Sequence, residues 1–392
     1  FKLDNSYMSE INEPHKFVQS ENDSNLFQVN ELRQQRVLEP LKYMQHWYAY
    51  RFSFWKRVFV WPYLKGNGRA IKWKLLRPLP NITTVVWGSA HVDTKYASTN
   101  IIRMEDGFIH SLGLGSDLSP PCSQVLDTRG IYFDAQNNND LFELLNTHVF
   151  DDEMLLRAAN LRQLIVDAGI TKYNLGRKYC TWQRPHNQRV ILVIGQVSND
   201  ASVRLGASGA ISSIDKLLEK VWQSNPDAMI VYKPHPDVLS GNRQGLINAK
   251  QYCHFVDSEA DIISIIEQVD EVHTLSSLAG FDALIRNKKV VTYGLPFYSG
   301  WGLTEDKVAS IPYRYRTVSL DALVAASLIL YPIYWDWDLK KFSTPEAIVA
   351  KLAVSAGRPL TPMSQFKRFP LKAWRWCVNV VKFFYLQYFQ FK

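Results

Sequence analysis

The sequence predicts an α/β protein in which two Rossmann-like domains face a cleft, and three observations carry this prediction. Segments with strand character alternate with segments of helical periodicity from residue 83 onward, as in parallel sheets with crossover helices. The chain has 392 residues, of which 46% are hydrophobic, so it is long enough for two full cores. A long apolar strand at residues 189–197 (RVILVIGQV) starts a second series of alternating elements. We therefore expect one domain at residues 81–188 and another at residues 189–335.

The first domain is expected to begin with a strand at residues 83–87 (TTVVW). Further short strands are predicted at residues 100–104, 124–126 and 130–133. An amphipathic helix is predicted at residues 151–166. Its expected buried side consists of Leu155, Leu156, Ala159, Leu161, Leu164 and Ile165. The acidic run at its start is interpreted as favourable charge at a helix N-terminus and not as a metal site.

After its first strand, the second domain is expected to alternate between helices and strands. Helices are predicted at residues 211–222, 262–268 and 319–330, and strands at residues 228–232, 290–293 and from residue 272.

The segment at residues 274–306 is the richest in candidate ligand-binding features. Ser276 and Ser277 are good N-cap residues for a helix whose apolar face contains Leu278, Phe281, Leu284 and Ile285. Such a helix start exposes N–H groups and a positive dipole end, which suit a phosphate. A glycine-rich aromatic loop with Phe297, Tyr298 and Trp301 follows the next strand.

The flanking segments, residues 1–80 and 336–392, are rich in basic and aromatic residues and are expected to be helical extensions. After Glu346 there are eight positive charges and no negative charge, so the net charge of +8 belongs to this tail. For residues 41–78 two interpretations stay open, namely contact with anionic lipid headgroups and a helical hairpin packed on the main domain. In residues 362–392 an apolar face coincides with positive charge that no acidic residue opposes. This pattern favours a helix on a membrane surface over a helix that packs back across the first domain.

The cysteines and the hydropathy of the chain indicate a cytoplasmic protein. The four cysteines are far apart and form no CxxC pair, which predicts reduced thiols and no structural zinc. No stretch approaches the roughly 18 uncharged apolar residues that a membrane span needs.

Polar residues with catalytic chemistry follow the strand at residues 100–104. Glu105 and Asp106 come first, and His110 and Ser111 follow. Open α/β sheets bind ligands at the carboxyl ends of their strands, so these side chains are candidates for a cleft site.

Two similar clusters are expected in the second domain. Asn199 and Asp200 follow its first strand, and here the aspartate is either a nucleophile or base or only a helix cap. Lys233 and His235 follow the next strand. A protonated His235 would pair with a phosphate, where Lys233 adds a second positive charge, and otherwise His235 is an ordinary loop histidine. No HExxH motif or Walker lysine is present, and neither metal catalysis nor a P-loop is expected.

Seven motifs, in this order, resemble the bacterial capsule β-Kdo transferases of the KpsC and KpsS kind. The motifs are EDGFIHSLGLG, LDTRGIYFDA, KYNLG, NDASVRLG, KPHPDVLSG, SSLAGFDALIRNK and GLPFYSGWGLTED. The O-antigen-capping enzyme WbbB is similar. The resemblance covers about residues 83–335 and leaves both flanking segments outside it.

The resemblance implies a GT-B fold and a retaining β-Kdo transferase that uses CMP-β-Kdo and no cofactor. It implies double displacement with Asp200 as the nucleophile, and it makes Glu105 and Asp106 acid/base candidates. His110 and Ser111 become acceptor-side candidates. The donor-binding residues would be Gln196, Asn199, Ser202, Arg204, Lys233, His235, Ser276, Ser277, Gly280, Asp282 and Trp301.

Two positions depart from the family pattern. His110 stands where relatives usually have Arg, and Asp282 stands where they have Glu.

The expected partners are CMP-Kdo, a glycan or glycolipid acceptor and the inner-membrane surface, with no nucleic acid. Two alternatives stay open: a CMP-sialic-acid-type glycosyltransferase, and a non-catalytic CMP-sugar binding module in glycan assembly. A preference for CMP-Kdo or for CMP-sialic acid would distinguish the Kdo transferase from the first alternative. A binding module would keep its function in the variant Asp200→Asn, and a transferase would lose it.

Overall fold

The computed structural model describes residues 46–65, 70–74, 83–92, 101–113, 118–174, 176–197, 201–206, 211–235, 238, 249–356 and 365–390. Its strands are β1 (His46–Tyr50), β2 (Ala70–Lys74), β3 (Thr84–Trp87), β4 (Ile101–Asp106), β5 (Ser123–Asp127), β6 (Val190–Ile194), β7 (Met229–Lys233), β8 (Phe255–Val256), β9 (Glu271–Thr274), β10 (Lys289–Thr292), β11 (Glu305–Asp306), β12 (Pro332–Asp336) and β13 (Lys341–Ser343).

The helices connect these strands and cover both sheets. They are α1 (Phe54–Lys65), α2 (Asp140–Thr147), α3 (Asp152–Asp167), α4 (Ala201–Gly206), α5 (Ile214–Ser224), α6 (Ile262–Gln268), α7 (Leu278–Leu284), α8 (Leu320–Val324), α9 (Pro345–Ala356) and α10 (Gln365–Gln390). A short 3₁₀ turn at Ala249–Gln251 precedes β8, and a π-helical segment, Ala325–Leu330, continues α8.

The strands form two sheets. The first has the order β13-β12-β5-β4-β3-β1-β2, and the second has the order β11-β10-β9-β6-β7-β8. Every pairing in the second sheet is parallel, as predicted. In the first sheet β1 to β4 pair in parallel, whereas β5, β12 and β13 run antiparallel to their neighbours. The expectation of two purely parallel sheets is therefore wrong for the first.

A continuous apolar core joins the two sheets. It includes Val125 of β5, Leu161 of α3, Leu192 of β6 and Val290 of β10. The π-helical segment and α8 pack against α3 within this core. A second core covers the other face of the first sheet beneath α1 and α10, and a third covers the other face of the second sheet beneath α5. This layering leaves the carboxyl ends of the strands free to carry polar residues.

The prediction that residues 1–80 form a helical extension is wrong for the part that the structure describes. Residues 46–74 form a strand–helix–strand unit, and β1 pairs in parallel with both β2 and β3. Several aromatic residues of this unit are buried: Phe52, Trp61 and Trp73 pack together between the sheet and α10. The aromatic content of this segment therefore belongs largely to a core.

Two local predictions in the first domain also need correction. Residues 130–133 form a turn and no strand, because the buried carboxylate of Asp127 accepts hydrogen bonds from the backbone N–H groups of Arg129 and Gly130. Helix α3 begins as expected, with the Asp151 side chain accepting from the N–H of Met154 at 2.8 Å. Its buried residues are Ala158, Leu161 and Ile165. Leu156 and Leu164 are exposed instead.

The C-terminal segment, expected outside the domains, packs back on the first sheet. Strands β12 and β13 extend the sheet edge, and α10 lies on α1, where the buried Phe383 ring contacts Phe54, Trp61 and Trp73. Among the described residues, no helix combines the length and apolarity needed to cross a membrane.

Candidate active site

Two carboxylates end strand β4, as the sequence predicts, and the structure gives them different surroundings. Asp106 is held on both oxygens: Gln124 of the neighbouring strand donates to Oδ1 at 2.8 Å, and Nε2 of His110 lies 3.1 Å from Oδ2. Burial would raise the pKa of Asp106, but His110, Lys56 and Lys172 together hold this pKa well below its usual range. Asp106 is therefore a permanent negative charge.

A short hydrogen-bond chain fixes the His110 ring, which is only 2% exposed. Nδ1 of His110 lies 2.5 Å from Oγ of Ser111, and this hydroxyl donates to the carbonyl of Gly113 at 2.7 Å. Because the Ser111 hydroxyl donates its proton to the carbonyl of Gly113, the Ser111 oxygen can accept a hydrogen bond from Nδ1–H of His110. Both ring nitrogens thus face oxygen atoms, Oγ of Ser111 and Oδ2 of Asp106, which fixes the orientation of the ring.

Glu105 has fewer hydrogen bonds than Asp106. Its Oε1 accepts from the N–H of Asp106 at 3.0 Å, and its Oε2 faces the backbone of Gly88, so closely that a Cβ at this glycine would lie 3.0 Å from the oxygen. Burial raises the pKa of Glu105 from 4.5 to about 7, against the opposing charges of Lys56 and Lys172. A carboxyl group that exchanges its proton near neutral pH suits general acid/base chemistry.

Lys172 is a site residue that the sequence reasoning did not single out, although it lies in the KYNLG motif. The carbonyl of Lys172 accepts from the N–H groups of His110 and Ser111, at 3.1 and 3.2 Å. Asn174 anchors the same loop, because its Nδ2 donates to the carbonyl of Ser111 at 3.1 Å. The loop therefore lies directly against the residues that follow the carboxylate pair.

The charge of Lys172 acts on acidic residues of both sheets. Burial would lower the pKa of Lys172, but Tyr173, Tyr132, Asp106 and Glu105 raise it further than burial lowers it. The ammonium group thus stays positive between several acidic side chains.

Asp282 of α7 is one of the carboxylates that Lys172 reaches. Asp282 is 8% exposed, and burial raises its pKa to about 6, against Arg286 and Lys172. Arg286 donates to the carbonyl of Ile170 at 3.2 Å, which joins α7 to the loop that carries Lys172. The structure therefore brings the first-domain carboxylates and Asp282 toward one shared cation.

A second polar cluster lies at the carboxyl ends of β6 and β9 and contains four of the predicted donor-binding residues. Gln196 accepts from the N–H of Ser276 at 3.0 Å, and its Nε2 donates to the hydroxyl of Ser276 at 3.2 Å. The same hydroxyl donates to the carbonyl of Ser202 at 3.0 Å. Ser277 caps α7 by accepting from the N–H of Ala279 at 3.2 Å. These bonds connect α4, β6 and α7 around one polar loop.

Gly280 supports this loop by making room for Tyr298. A Cβ at Gly280 would lie 2.1 Å from the Tyr298 hydroxyl, which donates to the carbonyl of Ser277 at 2.5 Å. Gly280→Ala is therefore expected to destabilise the protein by about 1–3 kcal/mol, because the tyrosine must move and lose this bond. Thermal unfolding measures the effect.

The matched control for this substitution is Gly206→Ala. A Cβ at Gly206 would approach Ser276 only to 3.4 Å, an ordinary contact, so this variant is expected to unfold near the wild-type temperature. Equal unfolding temperatures for the two alanine variants would contradict the packing role of Gly280.

Two predicted donor-binding residues are used inside the protein instead. Lys233 is buried, its Nζ donates to the carbonyl of Ala260 at 2.6 Å, and burial lowers its pKa. Trp301 is fully buried, and its Nε1 donates to the carbonyl of Phe297 at 2.8 Å. Lys233 is the last residue of β7 and Trp301 lies in the loop after β10, and both side chains pack into the protein.

The remaining predicted residues divide into two groups. Arg204 lies exposed on α4, and His235 lies half-buried just beyond β7. Asn199 and Asp200 lie outside the described residues, so no geometry accompanies their assignment. Among the described residues, no group of three or more His, Cys, Asp or Glu side chains has the arrangement of a metal site.

The charged surroundings of the carboxylate pair also include Lys56 of α1, in the segment for which lipid contact and packing on the main domain are the two interpretations. Its Nζ lies 4.0 Å from Oδ2 of Asp106. No local motif identifies this residue, because the contact depends on how α1 packs against the sheet.

Comparison with known proteins agrees with the motif resemblance. The family model described as capsule polysaccharide biosynthesis protein matches residues 86–334. The capsule polysaccharide modification protein LipA of Neisseria meningitidis is 41% identical over 301 residues, which are 73% of this chain and 42% of LipA. The lipopolysaccharide-processing protein LpsZ of Rhizobium meliloti is 38% identical, over 69% of this chain and 63% of LpsZ. The chain thus spans less than two thirds of the length of either relative.

Two solved structures share the fold over most of this chain. The β-Kdo 2,7 transferase of Thermosulfurimonas dismutans KpsC is 34% identical with a TM-score of 0.65, and 79% of this chain covers 99% of that structure. The β-Kdo 2,4 transferase of the same KpsC is 29% identical with a TM-score of 0.69, and 78% of this chain covers 97% of it.

Proposed function

The chain belongs to the bacterial family of capsule polysaccharide biosynthesis proteins, and from this premise we propose that it is a retaining β-Kdo transferase. In this proposal the protein has GT-B architecture and moves Kdo from CMP-β-Kdo to a bacterial surface glycan or glycolipid. The similarity to both KpsC transferases supports the sugar and the reaction class. The observation that carries the proposal is the Glu105–Asp106 pair at the end of β4, where His110 and Gln124 bind both oxygens of Asp106 and leave Glu105 with one hydrogen bond among the described residues, from the N–H of Asp106.

The first step of the proposed reaction forms a glycosyl–enzyme adduct. The Asp200 carboxylate attacks the anomeric carbon of Kdo, and the bond from this carbon to the phosphate oxygen breaks, so that CMP leaves with the electron pair. CMP departs as a phosphate monoester dianion. The Ser276–Ser277 loop is held by Gln196, and the Ser277 hydroxyl, which accepts from the N–H of Ala279, keeps its own proton to donate to that charge.

The second step transfers the sugar to the acceptor. An acceptor hydroxyl attacks the anomeric carbon from the face that CMP left, and Glu105 takes its proton while the bond to Asp200 breaks. Asp106 is unsuited to this role, because His110 and Gln124 occupy its oxygens and its pKa is held low. Two inversions at one carbon retain the configuration.

We also propose that α10 places the enzyme on an anionic membrane surface. This helix contains basic residues and no acidic residue. An apolar stripe along α10 is exposed, with Trp374 67% and Phe384 58% exposed. The opposite face, at Phe383, packs on α1. An exposed aromatic stripe among positive charges fits a headgroup region of negative lipids.

A triple variant tests this surface. Changing Trp374, Val381 and Phe384 to serine is expected to weaken binding to vesicles of mixed anionic and neutral lipid by about tenfold or more, since burial of apolar side chains contributes to docking. Cosedimentation measures the binding, and Tyr315→Ser, at another exposed aromatic residue, is the control. Unchanged cosedimentation of the triple variant would refute the membrane role of α10.

The intact mass of the protein after mixing with CMP-β-Kdo, without acceptor, tests the proposed function. A gain of one Kdo that maps to Asp200 would support donor, nucleophile and double displacement together. A gain with CMP-sialic acid but none with CMP-Kdo would reassign the donor. If neither donor produces an adduct or any transfer to Kdo-terminated acceptors, while CMP still binds, the chain is a binding module and the proposal fails.

A further inference from the structure

Helix α1 lies outside the residues that the family model matches, yet it packs against the sheet that carries the carboxylate pair. Its first turn is fixed by two features. The N–H groups of Lys56 and Arg57 donate to the carbonyl of Ser53, and Nε of Arg57 donates to the carbonyl of Phe52 at 3.2 Å. Further along, the hydroxyl of Tyr63 donates to the carbonyl of Pro121 at 3.0 Å. The direction of the Lys56 side chain is therefore set by packing.

The ammonium group of Lys56 lies between an aromatic ring and a carboxylate. Nζ is 3.2 Å from the centre of the Trp87 ring and 4.0 Å from Oδ2 of Asp106, and the side chain is 16% exposed. Trp87 ends β3, the strand beside β4. A cation on an indole face next to a carboxylate is held by electrostatic attraction from both sides.

Among the described residues, Nζ of Lys56 makes no hydrogen bond to a side chain or carbonyl, and the carboxylate of Asp106, 4.0 Å away, is its ion-pair partner. Arg57, one position further, turns away and stacks on Phe54 instead. The two neighbouring cations thus have different functions: Arg57 supports the packing of α1, and Lys56 faces the carboxylates.

Building on the proposed function, we propose that Lys56 is a positioning residue of the active site, acting on the acceptor step through the Glu105–Asp106 pair. The strand–helix–strand unit at residues 46–74 then forms part of the catalytic centre and is more than a support for the sheet.

The charged groups around Glu105 come from several elements. Lys56 approaches from α1, Asp106 from the same strand and Lys172 from the loop at residues 171–174, and Tyr132 also faces it. His110 faces Asp106. Of these groups, Lys56 is the cation that acts most strongly on Glu105.

The sign of the effect follows from the charge. A nearby cation favours the ionised form of Glu105, so removal of Lys56 raises the pKa of Glu105 and leaves less of the base ionised at neutral pH. The acidic limb of the pH–rate profile is therefore expected to move to higher pH by about one unit. The rate at pH 6 then falls by roughly tenfold, while adduct formation, which needs no base, stays close to the wild-type rate.

Two variants and one control test this inference. Lys56→Met removes the charge and keeps the stem, and Lys56→Arg keeps the charge and should restore the profile. Lys72→Met is the control, because Lys72 lies on a Tyr48 ring in the outermost strand pair and is not among the groups that act on Glu105. Transfer is measured from pH 5 to 9 with saturating CMP-β-Kdo, beside the adduct yield without acceptor. If Lys56→Met folds poorly, Lys56→Gln replaces it.

A second readout does not depend on activity. Titration of ¹³C-labelled glutamate carboxyl groups by NMR, with the Glu105 signal assigned through Glu105→Gln, should show a higher pKa for Glu105 in Lys56→Met than in the wild type. An unchanged titration in a folded Lys56→Met variant overturns the role of Lys56. Absence of both adduct and transfer in the wild type instead refutes the proposed function. In that case the NMR titration still shows whether Lys56 lowers the pKa of Glu105.

Discussion

Replacement of Glu105 with glutamine is expected to slow transfer to the acceptor by about 10²–10⁴-fold, because the acceptor hydroxyl loses its general base. Glutamine keeps the shape of the side chain and cannot take a proton. The adduct on Asp200 should still form with CMP-β-Kdo, and it should persist when acceptor is added. Intact mass before and after acceptor addition, together with a transfer assay, measures both steps.

The control for this variant is Glu153→Gln, on the exposed first turn of α3, which should transfer at the wild-type rate. Near-normal turnover of Glu105→Gln would remove Glu105 as the base. Loss of the adduct in Glu105→Gln would place Glu105 in the first step. This outcome would contradict the proposed division of roles, in which Asp200 forms the adduct and Glu105 takes the acceptor proton.

The raised pKa of Glu105 also predicts a stability effect with a definite sign. Its pKa is about 7 in the folded protein and 4.5 ordinarily, so the ionised form is disfavoured by folding. The stability contribution of the protonated group is complete below pH 4.5 and is lost as the pH rises through 7. Glu105→Gln should therefore unfold at a higher temperature than the wild type at pH 8, with a smaller difference at pH 5.

The second sheet could be predicted from sequence because its signals are local. Strand β6 is apolar at every position, as expected for a strand buried on both faces, and α6 and α7 begin at side chains that cap them, Asp261 and Ser277. The first sheet was harder to predict. Ala49 of β1 and Ile71 and Trp73 of β2 pack beneath α1 and α10, but the surrounding sequence is so rich in basic and aromatic residues that it resembles a surface helix until these distant partners are known.

The candidate site shows the same division. Glu105, Asp106, His110 and Ser111 are near neighbours in sequence, so a short motif was enough to bring them together. The cations around them come from distant elements, and only packing places Lys56 and Lys172 there. Lys233 and Trp301 show the reverse, because their place in the motifs predicted donor contact, whereas their N–H groups donate to the carbonyls of Ala260 and Phe297. Position at a strand end predicts a neighbourhood and does not determine where a side chain points.

Replacement of Asp200 with asparagine is expected to lower transfer by roughly four orders of magnitude or more, because no nucleophile remains to form the adduct. The asparagine amide has a size similar to the aspartate carboxylate but carries no negative charge. The mass gain with CMP-β-Kdo should vanish, whereas CMP should still bind, since the Ser276–Ser277 loop and Gln196 are unchanged. Calorimetry with CMP and intact mass with the donor measure the two properties in one preparation.

Asp215→Asn, on the exposed first turn of α5, is the matched control and should form the adduct normally. The combination of two outcomes decides the mechanism. Retained CMP binding with no adduct and no transfer assigns the nucleophile to Asp200. Full transfer by Asp200→Asn would exclude an adduct at this position and leave front-face displacement as the retaining route, with Glu105 still required as the base. In that case the double variant Asp200→Asn and Glu105→Gln tests the base, because loss of Glu105 should then slow the transfer that Asp200→Asn retains.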